Sequence, residues 1–283
     1  VPDEFAALDL PAHPAPGDAR LFDVPVVLSA LDAALAPRLA ALQRRARDGG
    51  GATAAAGDEA AAIDLTLRLA ELVTELQCRS LRYEEALRGV LELHTMLRAV
   101  ADASGGGGAA TSAPPPSLRR WQPWLRRLGK RLFTLLRDHE LQHVVADKVP
   151  TLLAVDEAAA IAAMAERLEV FPAYAVAMQL QTAPERLLRY LHHLIVHRTS
   201  EYNAPANATI HDVQLTLYLQ YDRANLLQFM ERSTNYTLET ARALCATATP
   251  APLYRELVYV LSRMGNPKAA LTILLERLND VQG

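Results

Sequence analysis

The junction Met264-Gly265-Asn266-Pro267 constrains what this chain can fold into more than any other stretch of its 283 residues. Glycine suits the left-handed conformation that ends one helix, asparagine caps the next, and proline fills a first-turn position whose amide needs no partner. The flanking segments, Leu253 to Arg263 and Lys268 to Leu278, carry apolar residues at three- and four-residue spacing. A helix pair of this kind buries one face of each helix and leaves apolar surface at its ends, so successive pairs must stack to cover it. Strand signals are almost missing, because aromatic content is 6% and Ala, Leu, Arg and Glu dominate. The expected fold is all-α, an α-solenoid of stacked antiparallel helix hairpins. Helix pairs recur without an exact repeated motif, so periodicity alone leaves a compact bundle open.

The same punctuation places helices upstream. Asp23 before Val24-Pro25 opens a helix whose apolar stripe runs through Val27, Leu28, Leu31, Leu35, Leu39 and Leu42 and which ends in Arg44-Arg45-Ala46-Arg47. Ile63, Leu67, Leu69, Leu72 and Leu76 begin a second helix. Tyr83, Ala86, Leu87, Val90, Leu91, His94 and Leu97 mark a third, and the two are expected to pack as a hairpin. Flexible loops are expected over 45–58, around the Gly- and Ala-rich residues 48–57, and over 101–117, with its four consecutive glycines and Pro114-Pro115-Pro116. Both are read as lying within one solenoid domain covering 1–283, the second as an insertion. From Trp124 onward short helices follow one another with turns of a few residues.

Composition narrows the function classes. A hydrophobic share of 51% and 29 basic against 32 acidic side chains describe a chain that can bury a substantial core and has no long-range field to gather nucleic acid. No apolar run reaches the roughly 20 residues that cross a bilayer, so no transmembrane segment is expected. The two cysteines, Cys78 and Cys245, lie outside any CxxC spacing and suit a reducing compartment. The chain starts at Val1 without a signal-peptide pattern and stops at Gly283 while a helix is still running, which reads as an excerpt of a longer protein.

Three clusters bear chemistry. His139-Glu140-Leu141-Gln142-His143 matches the HExxH pattern, with His139 and His143 as zinc ligands one helical turn apart and Glu140 as base. The extended form of that site fails, because Val144 to Val149 supply neither its glycine nor its third histidine, although Glu157, Glu166 or Glu169 could substitute. His192, His193 and His197 form a second cluster; His193 and His197 share a helix face and could hold a metal, but the favoured reading is residues at the edge of a core built from Leu187, Leu188, Leu191, Leu194 and Ile195. The third is the segment 119–137. Trp121, Trp124, Leu125, Leu128, Leu132, Leu135 and Leu136 share one helical face, and Arg126, Arg127, Lys130, Arg131 and Arg137 share the other. That pattern serves a solenoid helix with solvated arginines outside, or peripheral contact with an anionic membrane, while Pro123 and Gly129 weaken a continuous helix. No phosphate-cradling loop, GxSxG elbow or cysteine with a nearby histidine occurs, and Glu84-Glu85 reads as a solvated pair.

The stretches LYLQYDRANLLQFMERSTNYTLETARALC at 217–245 and LVYVLSRMGNPKAALTILLERLNDVQ at 257–282 carry a family resemblance, most of all LSRMGN at 261–266. RLLRYLHHLI at 186–195, KRLFTLLRDHELQHVVADKV at 130–149, RYEEAL at 82–87 and Pro16-Gly17-Asp18 follow the same family in the same order. They resemble the clathrin-heavy-chain-repeat region of the vacuolar protein sorting-associated protein 41 family. The resemblance is strongest from about 184 to 282, and the stretches at 48–57 and 101–117 depart from the family. It implies an α-solenoid that binds other proteins without catalytic chemistry, cofactor or metal. In a full protein it implies a β-propeller before this region and a zinc-binding RING-type tail after it. It further implies the homotypic fusion and protein sorting (HOPS) tethering complex, with its other subunits, a Rab-family GTPase, SNARE proteins and vesicle adaptors as partners. The implied location is cytoplasmic, peripheral on the late endosome and vacuole or lysosome. Its HELQH falls inside the family-like segment, which favours a structural helix; a zinc metallopeptidase and a scaffold of another coat or tethering family are the alternatives.

Overall fold

The computed structural model describes residues 24–47, 56–103, 116–249 and 252–278. Among these, every regular element is helical and none is a strand. The chain divides into two compact units, one up to Val144 and the other from Val145.

The first unit contains α1 (Val24–Arg47), α2 (Ala56–Arg79), α3 (Tyr83–Ala103) and α4 (Pro116–Asp138). α1 packs on α2 and α3, α2 on α3, and α3 on α4. Only Ser80-Leu81-Arg82 separates α2 from α3, which makes them the expected antiparallel hairpin. Leu81 stands there at φ 62°, and the Arg82 amide donates to the Gln77 carbonyl at 2.8 Å, closing the end of α2. Arg127 on α4 pairs with Glu71 on α2 at 2.9 Å, and Arg131 pairs with Glu75 at 3.1 Å, four residues further on in both helices. α2 and α4 therefore run side by side in the same direction while α3 returns between them, the arrangement that stacked hairpins produce.

The α3 stripe reads as expected: Ala86, Leu87, Val90, Leu91, His94 and Leu97 are buried, with Tyr83 at its edge. α2 differs. Ile63, Leu67 and Leu69 are buried, but Val73 takes the next inward place and Leu72 is 54% exposed. The inward face steps by three and four residues from Ile63 through Leu67 and Ala70 to Val73, which turns Leu72 outward. In α1 only Leu28 and Leu35 of the expected stripe are fully buried, and the Leu42 side chain lies outside the described residues. The outer residues of the expected loops are helical: α1 runs to Arg47, α2 starts at Ala56, α3 runs to Ala103 and α4 starts at Pro116. The remainder, 48–55 and 104–115, lies outside the described residues, as does Pro16-Gly17-Asp18. α4 passes through both Pro123 and Gly129.

The second unit holds α5 (Val149–Val155), α6 (Glu157–Glu166), α7 (Ala173–Gln179), α8 (Pro184–His197), α9 (Thr199–Tyr202), α10 (Ala208–Tyr221), α11 (Leu226–Arg232), α12 (Leu238–Thr247), α13 (Tyr254–Arg263) and α14 (Pro267–Ile273), with a π-helical turn at Leu274–Leu278. Principal packing partners are close in the chain. α8 meets α6, α7, α10 and α11, and α13 meets α11, α12 and α14. Caps explain the breaks: Asp156 accepts from the Ala159 amide at 3.1 Å to start α6. At the α13–α14 junction Gly265 has φ 74°, the Gly265 and Asn266 amides return to Ser262 and Leu261, and the Asn266 side chain accepts from the Ala269 amide. The fold class is thus all-α, of the α-solenoid type built from helix hairpins.

Candidate functional site

The HExxH residues are not on one helix. α4 ends at Asp138, Glu140 adopts φ 53°, and Leu141–Val145 is a 3-10 helix. This corrects the expectation of one amphipathic helix through 139–143. The left-handed residue breaks the turn that would place two imidazoles side by side. His139 instead stacks on the Tyr83 ring, centroids 3.5 Å apart, and His143 Nε2 lies 3.5 Å from a Glu84 carboxylate oxygen. Of the substitute ligands, Glu157 pairs with Arg189 at 2.7 Å, and Glu169 lies 3.4 Å from Arg167. Among the described residues no group of three His, Cys, Asp or Glu side chains is placed to hold a metal ion.

In the second histidine cluster, Leu187, Leu188, Leu191, Leu194 and Ile195 of α8 are buried, His192 and His193 are half-buried and His197 is exposed. His192 Nδ1 meets the Tyr218 hydroxyl, and the His193 and His197 rings lie 4.4 Å apart. Burial, followed by the two neighbouring histidines, holds the His193 pKa below its usual range.

A third histidine carries geometry that the sequence did not reveal. Ser233 Oγ lies 2.6 Å from His211 Nδ1, and His211 Nε2 lies 3.1 Å from the Tyr202 carbonyl. A carbonyl only accepts, so Nε2 carries the proton and Nδ1 accepts from the serine hydroxyl. Nucleophile, base and orienting group are spaced as in a hydrolase. Yet Ser233 is 1% exposed and His211 and Gln214 are 0% exposed, so no substrate carbonyl reaches the hydroxyl. Tyr202 stacks on the imidazole at 4.3 Å and gives its hydroxyl proton to Gln214 at 2.8 Å. Burial lowers the His211 pKa against the opposing pull of the Tyr202 carbonyl and Asp212. The network is therefore a polar lock joining α9, α10 and the end of α11. Ser233 and His211 lie 22 residues apart and outside any motif, so only the fold brings them together.

What stays open to partners is surface. α2 and α4 flank a groove of about 670 Å³ lined by Arg68, Glu71, Leu72 and Glu75 of α2 and by Arg127, Lys130 and Arg131 of α4. The apolar side of α4 is not available beside it: Trp121, Leu125, Leu128, Leu132, Leu135 and Leu136 are all buried. Trp124 is half-buried under the Arg127 guanidinium, 5.6 Å from its centroid. Both cysteines are free; Cys245 is buried, and burial together with Glu256 pushes its thiol up to about 12, which keeps it inert.

Stacked helix hairpins with an open charged groove between α2 and α4 define a helical repeat protein. The Vps41 TPR-like region matches residues 123–283, more than half of the chain. The chain belongs to the Vps41 family. It is 36% identical over 152 residues to the vacuolar protein sorting-associated protein 41 homolog of Solanum lycopersicum, covering 53% of this chain and 16% of that protein. To the Homo sapiens homolog it is 32% identical over 152 residues, 54% and 17% of the two chains. To vacuolar protein sorting-associated protein 41 of Saccharomyces cerevisiae it is 35% identical over 68 residues, 24% and 7%. The aligned stretch spans about a sixth of the length of the first two relatives. No solved structure matches the chain. The family match starts at residue 123, so the likenesses at 82–87 and 16–18 lie before it.

Proposed function

We propose that this chain is a protein-binding scaffold of a membrane-tethering complex in vacuolar protein sorting, the HOPS complex, acting without catalysis, cofactor or metal. The observation that carries the reading is the family match over 123–283, on a stretch whose helices pack on their chain neighbours. Packing of that kind offers long lateral surfaces rather than an enclosed pocket, which suits large protein interfaces. The two units are read as stretches of one solenoid domain. Other complex subunits bind this region. In the full protein a Rab-family GTPase, SNAREs and vesicle adaptors are the further partners, and nucleic acid is not among them.

The location that goes with this role is peripheral, on the cytoplasmic side of the late endosome and vacuole or lysosome. Among the described residues no helix is long and apolar enough to cross a membrane. Contact with an anionic bilayer would fall to the basic face of α4, since its apolar face is buried. The test is affinity capture on the immobilised chain from a cytosolic extract, with the captured proteins identified by mass. Recovery of other tethering subunits supports the assignment. Recovery of subunits of a different coat or tether, or of none, overturns it.

A further inference from the structure

The groove between α2 and α4 has a charge pattern that its own ion pairs do not exhaust. Its lining sets four cations, Arg68, Arg127, Lys130 and Arg131, against two carboxylates, Glu71 and Glu75. Glu71 is taken by Arg127. Glu75 is shared, with Arg79 at 3.2 Å on one oxygen and Arg131 at 3.1 Å on the other. Arg68 turns back along its own helix to Asp64 at 2.8 Å. Lys130 makes no ion pair among the described residues. One carboxylate thus serves two guanidiniums beside an ammonium that has none. In the same groove Leu72 presents its side chain outward, although the apolar spacing of α2 would have let it face the core.

We propose that this groove docks an acidic, amphipathic segment of a partner protein, with carboxylates on Lys130 and Arg131 and an apolar side chain on Leu72. An incoming carboxylate relieves the sharing at Glu75 and supplies the missing partner of Lys130. An apolar side chain laid on Leu72 removes both from water. The concavity favours a polypeptide over a bilayer. A flat lipid surface rests on convex ground, Glu71 and Glu75 repel lipid phosphates, and the leucines and Trp121 of α4 that would enter acyl chains are buried. The inference rests on the scaffold reading and adds the chemistry of one partner.

The whole 283-residue chain is titrated into a dye-labelled helical peptide with leucines on one face and glutamates on the other, and into its lysine-for-glutamate counterpart. Anisotropy rises with the glutamate peptide alone and weakens as salt is raised from about 0.05 M to about 0.5 M. Lys130→Glu and Leu72→Asp, both at exposed positions, each weaken binding by about tenfold or more. Equal binding of both peptides, or none, overturns the proposal, and so does an affinity that neither substitution changes. Vesicles containing phosphatidylserine form a further arm, and recruitment that Lys130→Glu abolishes while peptide binding stays put overturns it in favour of a membrane. Capture of tethering subunits by the wild-type chain, with no peptide bound, sinks the groove alone; wild-type chain that captures none sinks the scaffold reading.

Discussion

Leu81 is a residue in a conformation that its side chain resists. It holds φ 62° in the turn between α2 and α3, is 74% exposed, and makes no apolar packing gain that offsets the strain. Leu81→Gly should therefore raise stability by about 0.5–1 kcal/mol, read as a higher denaturant midpoint with an unchanged slope. His94 works in the other direction. Burial first, and Arg98 second, lower its pKa from 6.5 to about 4. An imidazole depressed in the folded state is neutral there while the unfolded chain binds a proton, so its contribution is complete above pH 6.5 and is lost as pH falls toward 4. Urea unfolding across that window should show a decline of ~2–3 kcal/mol from this group, flattened in His94→Leu. The buried lock makes a third residue-level prediction: Ser233→Ala leaves His211 Nδ1 without its donor and costs about 1–3 kcal/mol. A serine of purely catalytic use would change stability little.

Elements show where local chemistry suffices to foretell structure. Gly265 and Asn266 were legible because a helix stop and start are decided by a few adjacent residues. Both amide returns and the asparagine cap are present at that junction. Nothing lies within 4 Å of a Cβ placed on Gly265, so Gly265→Ala should cost about 1 kcal/mol through its positive φ alone. Asn266→Ala should cost a similar ~1 kcal/mol through the lost cap, both measured by thermal melts. The stripes of α3 and α8 were legible for the same local reason. Leu72 was not, because which of two adjacent apolar residues turns inward depends on the neighbouring helix, and Val73 won that place. Nor was Glu140, whose left-handed backbone separates the two halves of a motif that spacing alone presents as a metal site. The Ser233–His211 contact and the α2–α4 ion pairs join residues distant in sequence, and no local pattern announces them.

At the scale of the whole molecule the chain is two units of locally packed helices, and the family match runs from residue 123 in the first through the second. Principal helix contacts are between near neighbours in the chain, the packing that gives repeat proteins their lateral surfaces. Two of the histidines singled out are taken up within that packing, His139 on Tyr83 and His211 with Ser233, while His143 stays exposed beside Glu84. Under the proposed function the region associates with other proteins and runs no reaction at these groups. The most direct measurement compares the tethering subunits captured by the wild-type chain with those captured by His139→Gln/His143→Gln, each with and without a zinc chelator. The predicted result is the same set of vacuolar sorting subunits in equal amounts throughout. Capture that disappears with the two histidines or with the chelator, while the helical circular dichroism persists, would contradict it.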